Sequence, residues 1–267
     1  MKKILILSVC LFVCWALPAQ QQRMKVACVG NSITYGTGLA DRATQSYPVQ
    51  LQKLLGEHYE VENFGKPGAT LLNQGHRPYT RQEEYRKALD FAGDIVVIHL
   101  GINDTDPRDW PNYRDSFVTD YLNLMDTFRK VNPDVRIIIA RMTPIADRHN
   151  RFLSGTRDWH GEIQTAIETV ARYAGVQLID FHEPLYPYPS LLPDAVHPTA
   201  EGAAIMAQTV YSAITGDYGG LQLSPLYTDN MVLQRDTPLL IHGTANVGEQ
   251  VTVRIDRQQW ITKAALD

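Results

Sequence analysis

The amino-acid sequence predicts an α/β fold: a three-layer α/β/α sandwich around a parallel sheet, followed by a partial all-β segment. Five short apolar runs alternate with stretches of helical periodicity. The runs lie at 24–29, 59–64, 94–100, 135–140 and 176–180. Several are nearly continuous in Val and Ile, which is typical of strands buried on both faces of a parallel sheet.

The stretches between these strands have helical periodicity and carry the chain from one strand to the next. They are Pro48 to Tyr59, Arg81 to Phe91, Tyr113 to Val131, Trp159 to Ala174 and Ala200 to Ile214. Right-handed crossovers between parallel strands place helices on both faces of the sheet. The sandwich therefore occupies residues 24–215.

The pattern changes after Gly216 to short strand-like runs separated by turn residues. These runs are Leu221–Tyr227, Met231–Gln234, Pro238–Gly243 and Gln250–Ile255. They are too few to close a β-sandwich. We therefore expect residues 221–267 to form a partial β-rich module, either a fragment or a region that contacts a further, downstream domain.

The first 19 residues have the pattern of a signal peptide. Lys2 and Lys3 precede an apolar run, and a small residue, Ala19, stands at the expected cleavage site. The run is shorter than the roughly 20 apolar residues that span a bilayer. We expect a secreted or periplasmic protein without a membrane contact after cleavage. Lipoprotein processing is less favoured because Cys10 and Cys14 each follow a valine.

Composition excludes several classes of protein. The chain has 267 residues, of which 44% are hydrophobic, and a net charge of -4, so no basic excess predicts binding to nucleic acid. Cleavage after Ala19 would leave Cys28 as the remaining cysteine, which excludes disulfides within the chain and Cys-rich zinc sites. We expect Cys28 to be a small buried hydrophobe.

The candidate catalytic residues begin directly after the first predicted strand. Ser32 lies in the turn Gly30–Thr34, at the edge of the sheet where open α/β folds bind ligands, and beside a helix N-terminus. Far downstream, Asp194 precedes His197 by three residues. Nucleophile, orienting acid and base are thus present in the order Ser32, Asp194, His197, as a catalytic triad requires.

Two further segments follow predicted strands and offer hydrogen-bond donors. Asn63–Thr70 follows the second strand and Gly101–Asp104 follows the third. Ester hydrolysis requires donors aimed at the developing oxyanion. We nominate the Ser32 N–H, the Gly68 N–H and the side-chain amide of Asn103 as the oxyanion hole.

These four segments resemble the four sequence blocks of the SGNH (GDSL) hydrolases, in that family's order. The resemblance covers residues 24–215 and implies a flavodoxin-like sandwich, a Ser32–His197–Asp194 triad, and an oxyanion hole from Ser32, Gly68 and Asn103. The sequence departs from the family at Asn31, where the family carries Asp. An Asn side chain can still form a hydrogen bond across the turn.

Other chemistries are not favoured. Gly36–Gly38 lacks the third small residue of a dinucleotide fingerprint, and Thr34 replaces the second glycine of an α/β-hydrolase elbow. No cluster around Ser32 has metal-ligand spacing, so we expect neither a metal nor a cofactor. Asp104 and Asp106 could form a metal pair, but loop carboxylates are usually solvated or cap a turn, and we expect that of both. We expect His99, inside an apolar strand, to be a satisfied core histidine and not a ligand.

A second resemblance concerns the substrate. Leu223–Arg235 and Gly248–Val253 are similar to the start of the sialate O-acetylesterase module, which implies O-acetylated sialic acid as substrate. The first domain is also similar to bacterial carbohydrate esterases through Leu71–Tyr79 and Pro107–Trp110. The leading hypothesis is a secreted serine esterase that removes acetyl groups from carbohydrate, with O-acetylated sialic acid as the favoured substrate. The alternatives are an acetylxylan-type deacetylase, a lipase or thioesterase, and a non-catalytic glycan-binding module.

Four side chains in these loops are candidates for contact with the sugar: Arg77, Tyr79, Arg108 and Trp110. An arginine there can pair with a carboxylate on an acidic sugar. The alternative interpretation is that the four residues pack the surface of the domain.

Overall fold

The computed structural model describes residues 23–150, 156–224, 227–228, 231–232, 234 and 236–265. Its centre is a five-stranded parallel sheet in the order β2-β1-β3-β4-β5, which is the flavodoxin-like order. The strands are β1 (Met24–Gly30), β2 (Tyr59–Gly65), β3 (Ile95–His99), β4 (Arg136–Arg141) and β5 (Gln177–Asp180). The predicted sandwich is confirmed.

Eight α-helices connect and flank these strands in the described residues. They are α1 (Ser32–Tyr35), α2 (Arg42–Gln45), α3 (Tyr47–Leu55), α4 (Glu83–Phe91), α5 (Trp110–Tyr113), α6 (Phe117–Val131), α7 (Thr156–Ala174) and α8 (Ala200–Thr215). Helix α3 packs against α8, and α6 packs against α4 and α7. Each residue of the central strand β3 is buried, because helices cover the sheet on both faces.

Two predicted helix boundaries are corrected by the structure. The helix predicted to reach Tyr59 ends at Leu55, because Gly56 has a φ of 72° and cannot continue the helical path. The helix predicted from Tyr113 begins at Phe117. The residues before it form the short helix α5 and a 3₁₀ turn instead.

The segment after Gly216 forms two small antiparallel pairs in its described part. The first pairs β6 (Gln222–Leu223) with β7 (Gly243–Thr244), and the second pairs β8 (Gln250–Ile255) with β9 (Gln258–Lys263). The β-rich character is as predicted. Strand β9 was not predicted; it follows β8 through a two-residue turn at Asp256, whose φ is 51°.

The predicted signal peptide, residues 1–19, lies outside the described residues, as do Cys10 and Cys14. Within the described part, no helix combines the length and apolar character needed to cross a bilayer. Cys28 is fully buried in β1, and burial raises the pKa of its thiol to about 12. It is the small buried hydrophobe that the sequence predicts.

Candidate active site

The turn after β1 presents Ser32 at the carboxyl edge of the sheet. Asn31 caps helix α1: its Oδ1 accepts a hydrogen bond from the Ile33 N–H at 2.9 Å. Its Nδ2 donates to the backbone oxygen of His99, at the end of β3, at 3.3 Å. Asn31 therefore bonds across the turn, as predicted, and ties the nucleophile turn to the neighbouring strand.

Gly30 is required where this turn leaves the strand. A β-carbon at this position would lie 2.8 Å from the backbone oxygen of His99 and 2.0 Å from Oγ1 of Thr34. Any side chain would therefore push the first turn of α1 away from β3. The absence of a side chain lets Ser32 stand close against the sheet.

The three side chains of the predicted triad are brought together over 165 residues of sequence. His197 Nε2 lies 2.8 Å from Ser32 Oγ, and His197 Nδ1 lies 2.6 Å from Asp194 Oδ2. These distances are those of hydrogen bonds at both ring nitrogens. A serine, an imidazole and a carboxylate in this chain can deprotonate the hydroxyl and stabilise the imidazolium that results.

Two opposing effects act on the pKa of Asp194. Partial burial raises it, whereas hydrogen bonds from the backbone N–H and the ring of His197 and from the Val196 N–H lower it. The hydrogen bonds outweigh burial, so the pKa lies below the ordinary value for Asp. Asp194 is therefore ionised at neutral pH and can accept a hydrogen bond from His197 Nδ1.

The nominated oxyanion donors lie on the turns that follow β1, β2 and β3, which are neighbours in the sheet. Gly68 has a φ of 77°, which favours glycine, and Asn103 lies in a 3₁₀ turn, where its Nδ2 donates to the Ala69 oxygen at 2.9 Å. That bond uses one of two amide hydrogens. Within the described part of the chain, no acceptor engages the Ser32 N–H or the Gly68 N–H.

Asp104 joins the two loops that carry Gly68 and Asn103. Its buried carboxylate accepts hydrogen bonds from the Leu71 N–H at 2.9 Å and the Leu72 N–H at 2.8 Å. Burial raises the pKa of Asp104 to about 7, against the lowering effect of those two N–H groups. The sequence predicts that Asp104 is solvated or caps a turn; it is instead fully buried, and its link between the two loops was not predicted. Its position directly after Asn103 is the signal that could have revealed it.

Asp106 binds Arg108, through the backbone N–H and the guanidinium. Among the described residues, no group of three or more His, Cys, Asp or Glu side chains is placed so that it could hold a metal ion. His99 is fully buried, as the sequence predicts, and burial lowers its pKa to about 3. Its Nε2 accepts a hydrogen bond from the Thr143 N–H at 3.4 Å, but its Nδ1 has no partner in the described residues, so the ring is only partly satisfied.

Arg77 contacts the turn that contains Gly68. Its Nη1 donates to the backbone oxygen of Pro67 at 2.9 Å. That oxygen and the Gly68 N–H belong to one peptide group, and in a trans peptide they point in opposite directions. The guanidinium therefore fixes the plane of the peptide whose N–H is nominated for the oxyanion hole. Arg77 itself is exposed.

Two of the predicted sugar contacts are wrong. Tyr79 is fully buried, and its hydroxyl donates to the Phe64 oxygen at 2.8 Å. Trp110 is 4% exposed, and its Nε1 donates to Glu162 at 2.7 Å. Both rings belong to the core and cannot reach a sugar in the active site. Arg108 is exposed and pairs with Asp106.

Comparison with known proteins places the chain in a family. Residues 28–205 match the GDSL-like lipase/acylhydrolase family. The chain belongs to this family. The four sequence blocks predict this membership. The chain is 34% identical over 221 residues to an acetylxylan esterase of Xylanibacter ruminicola, and the match covers 74% of the chain and 45% of that relative. The chain therefore spans less than half the length of this relative.

Solved structures show the same fold at low sequence identity. The acetyl xylan esterase AlAXEase superposes with a TM-score of 0.56 and 21% identity, over 72% of this chain and 100% of that one. A carbohydrate acetylesterase family member from Sinorhizobium meliloti superposes with a TM-score of 0.56 and 20% identity, over 72% and 97% of the two chains.

Proposed function

We propose that this GDSL enzyme is a serine esterase that removes acetyl groups from a neutral polysaccharide, with acetylated xylan as the representative substrate. The observation that carries the proposal is the continuous hydrogen-bond chain from Ser32 through His197 to Asp194. The 34% identity to an acetylxylan esterase supports the choice of substrate, although the chain spans under half of that relative.

The reaction begins with attack by Ser32. His197 Nε2 accepts the hydroxyl proton while Ser32 Oγ bonds to the acetyl carbonyl carbon. The oxyanion of the tetrahedral intermediate accepts hydrogen bonds from the Ser32 N–H, the Gly68 N–H and the second amide hydrogen of Asn103. The sugar oxygen then leaves and takes the proton from His197, so that the acetyl group remains on Ser32.

Deacylation repeats these steps with water. His197 takes a proton from water, and the resulting hydroxide attacks the acetyl-serine carbonyl. The second tetrahedral intermediate collapses, Ser32 Oγ recovers the proton from His197, and acetate is released. Asp194 stays ionised throughout and stabilises the imidazolium of His197.

Arg77 supports this chemistry from outside the reacting atoms. Its positive charge on the Pro67 oxygen polarises the peptide group and strengthens the Gly68 N–H as a donor. We assign Arg77 as a positioning residue for the oxyanion hole.

O-acetylated sialic acid is a second candidate substrate. The exposed guanidinium of Arg77, next to Gly68, favours it, because an arginine at the edge of the site can pair with the carboxylate of an acidic sugar. The resemblance of the tail to the sialate O-acetylesterase module points the same way. Export from the cytoplasm, directed by residues 1–19, would bring the enzyme to either carbohydrate.

A side-by-side assay tests the proposed function. Acetate release is measured from acetylated xylan and from O-acetylated sialylated mucin, for the wild type, Ser32→Ala and Ser46→Ala. We expect turnover of xylan to exceed that of mucin, and Ser32→Ala to lose activity by ~10⁴-fold or more. Ser46→Ala removes another buried hydroxyl, one without a partner in the described residues, and should remain active.

The outcomes separate the candidates. Faster release from mucin would assign the enzyme to sialic acid. Faster cleavage of octanoyl than of acetyl 4-nitrophenyl esters would identify a lipase. If Ser32→Ala kept a tenth of the wild-type rate on xylan, Ser32 would not be the nucleophile.

A further inference from the structure

A cavity lies beside the loop that carries Asp194. It has a volume of about 500 Å³, within the range of small-molecule sites, and lies between the loop after β4, the start of α7 and the loop after β5. Leu192, two residues before Asp194, is part of its wall. The Ala146 N–H donates to the Ala195 oxygen at 2.8 Å, which joins the cavity wall to the triad loop. Ser32 and the oxyanion donors lie outside it.

One side of the cavity is a row of three rings. The ring centroids of His160 and His182 are 5.7 Å apart, and those of His182 and Tyr186 are 5.1 Å apart. His182 and Tyr186 are stacked, with 21° between their planes. Tyr186 is 63% exposed, so the ring face that does not stack on His182 is open to solvent. An open aromatic face attracts the slightly positive C–H groups of a sugar ring.

The polar groups of the cavity suit hydroxyl groups rather than an anion. Burial lowers the pKa of His160 to about 4, so its ring is neutral at pH 7. Its Nε2 lies 3.0 Å from the Thr143 oxygen and must therefore carry the hydrogen, which leaves Nδ1 as an acceptor. Asp147 and Arg157 add one charge of each sign to the lining, so neither sign predominates.

We propose that this cavity is a subsite for an unacetylated sugar residue of the same neutral polysaccharide whose acetyl ester is cleaved at Ser32. The proposal rests on the proposed function. The sugar ring stacks on Tyr186, and its hydroxyl groups bond to the polar lining that includes His160. A long apolar acyl chain would leave those polar groups without partners, which disfavours it.

The test uses xylohexaose without acetyl groups as the probe, measured by isothermal titration calorimetry. We expect binding to the wild type and about tenfold weaker binding to Tyr186→Ala, which removes the stacking face. Tyr186→Phe keeps that face and should bind within about threefold of the wild type. Tyr188→Ala is the matched control, because Tyr188 is also exposed in this loop but does not line the cavity.

Kinetics provide the second readout. The ratio of kcat/KM for acetylated xylan to kcat/KM for 4-nitrophenyl acetate should fall about tenfold in Tyr186→Ala and stay constant in Tyr188→Ala. The subsite would be overturned if the wild type did not bind xylohexaose, or if the wild type and Tyr186→Ala bound it with equal affinity. Absence of acetate release from xylan by the wild type would instead overturn the proposed function, since the binding measurement does not depend on catalysis.

Discussion

Asp194 divides its carboxylate between the backbone and the ring of His197. Oδ1 accepts hydrogen bonds from the Val196 N–H at 3.0 Å and the His197 N–H at 2.7 Å, and Oδ2 lies 2.6 Å from His197 Nδ1. The same side chain therefore shapes the turn and orients the imidazole. The turn also contains Ala195, whose φ is 74°. The acid of the triad thus holds in place the residue that it activates.

Asp194→Asn separates these two roles. The amide oxygen can keep both backbone hydrogen bonds, but an NH₂ group facing Nδ1 favours the wrong tautomer of His197. We expect kcat for 4-nitrophenyl acetate to fall ~10⁴-fold, with little change in the unfolding temperature. Asp134→Asn, at an exposed turn, is the control and should be fully active. A fall of less than tenfold would show that His197 does not depend on this carboxylate.

Asn103→Ala removes a donor proposed to bind charge that exists only in the transition state. We expect kcat to fall by ~10²–10³-fold while KM changes little. The variant also loses the bond to the Ala69 oxygen, so its thermal unfolding is measured beside its kinetics. Asn112→Ala, an exposed amide that bonds to the Arg108 oxygen, is the control. A rise in KM alone would assign Asn103 to ground-state binding.

Arg77→Ala tests whether the guanidinium orients and polarises the peptide group between Pro67 and Gly68. Without the guanidinium on the Pro67 oxygen, the peptide is less polarised and less well held, so we expect kcat to fall about tenfold on every acetyl ester. Arg81→Ala, an exposed arginine in the next turn, should leave kcat unchanged. A loss confined to O-acetyl sialate, and seen in KM, would instead mean that Arg77 binds the carboxylate of an acidic sugar.

Asp104 makes stability depend on pH in a definite direction. Its pKa in the folded protein, about 7, lies above the ordinary value of 3.8, because burial disfavours the charged form. The folded state therefore binds this proton more tightly than the unfolded state. The resulting stabilisation is complete below the ordinary pKa and is lost as the pH rises through the folded pKa.

Asp104→Asn removes this titration. We expect the difference in free energy of unfolding, wild type minus variant, to decrease between about pH 4 and pH 7, by at most ~1.4 kcal/mol per pH unit for one proton. Urea denaturation of both proteins across that range measures it. Asn also leaves one of the Leu71 and Leu72 N–H groups without an acceptor, which costs about 1–3 kcal/mol at every pH. A constant difference would mean that Asp104 has an ordinary pKa.

The wrong expectations share one physical cause. Tyr79 and Trp110 lie shortly after the segments that contain Gly68 and Asn103, where an aromatic residue can either line a ligand site or pack inward. The choice depends on whether the hydroxyl or the indole N–H finds a buried partner. For Tyr79 that partner is the Phe64 oxygen and for Trp110 it is Glu162, and neither pairing is visible in the local sequence.

The sequence by itself determined the sheet and the edge at which chemistry occurs. Buried Val and Ile runs specify parallel strands, and the turns after consecutive strands must place Ser32, Gly68 and Asn103 along one edge. Tertiary structure alone decided the 2.8 Å contact of His197 with Ser32, the hydrogen bonds of Asp104 to the loop that contains Leu71, and the proximity of the His160 and His182 rings. Those relationships join residues far apart in the chain, and their geometry depends on which polar groups are buried together, which no local pattern encodes.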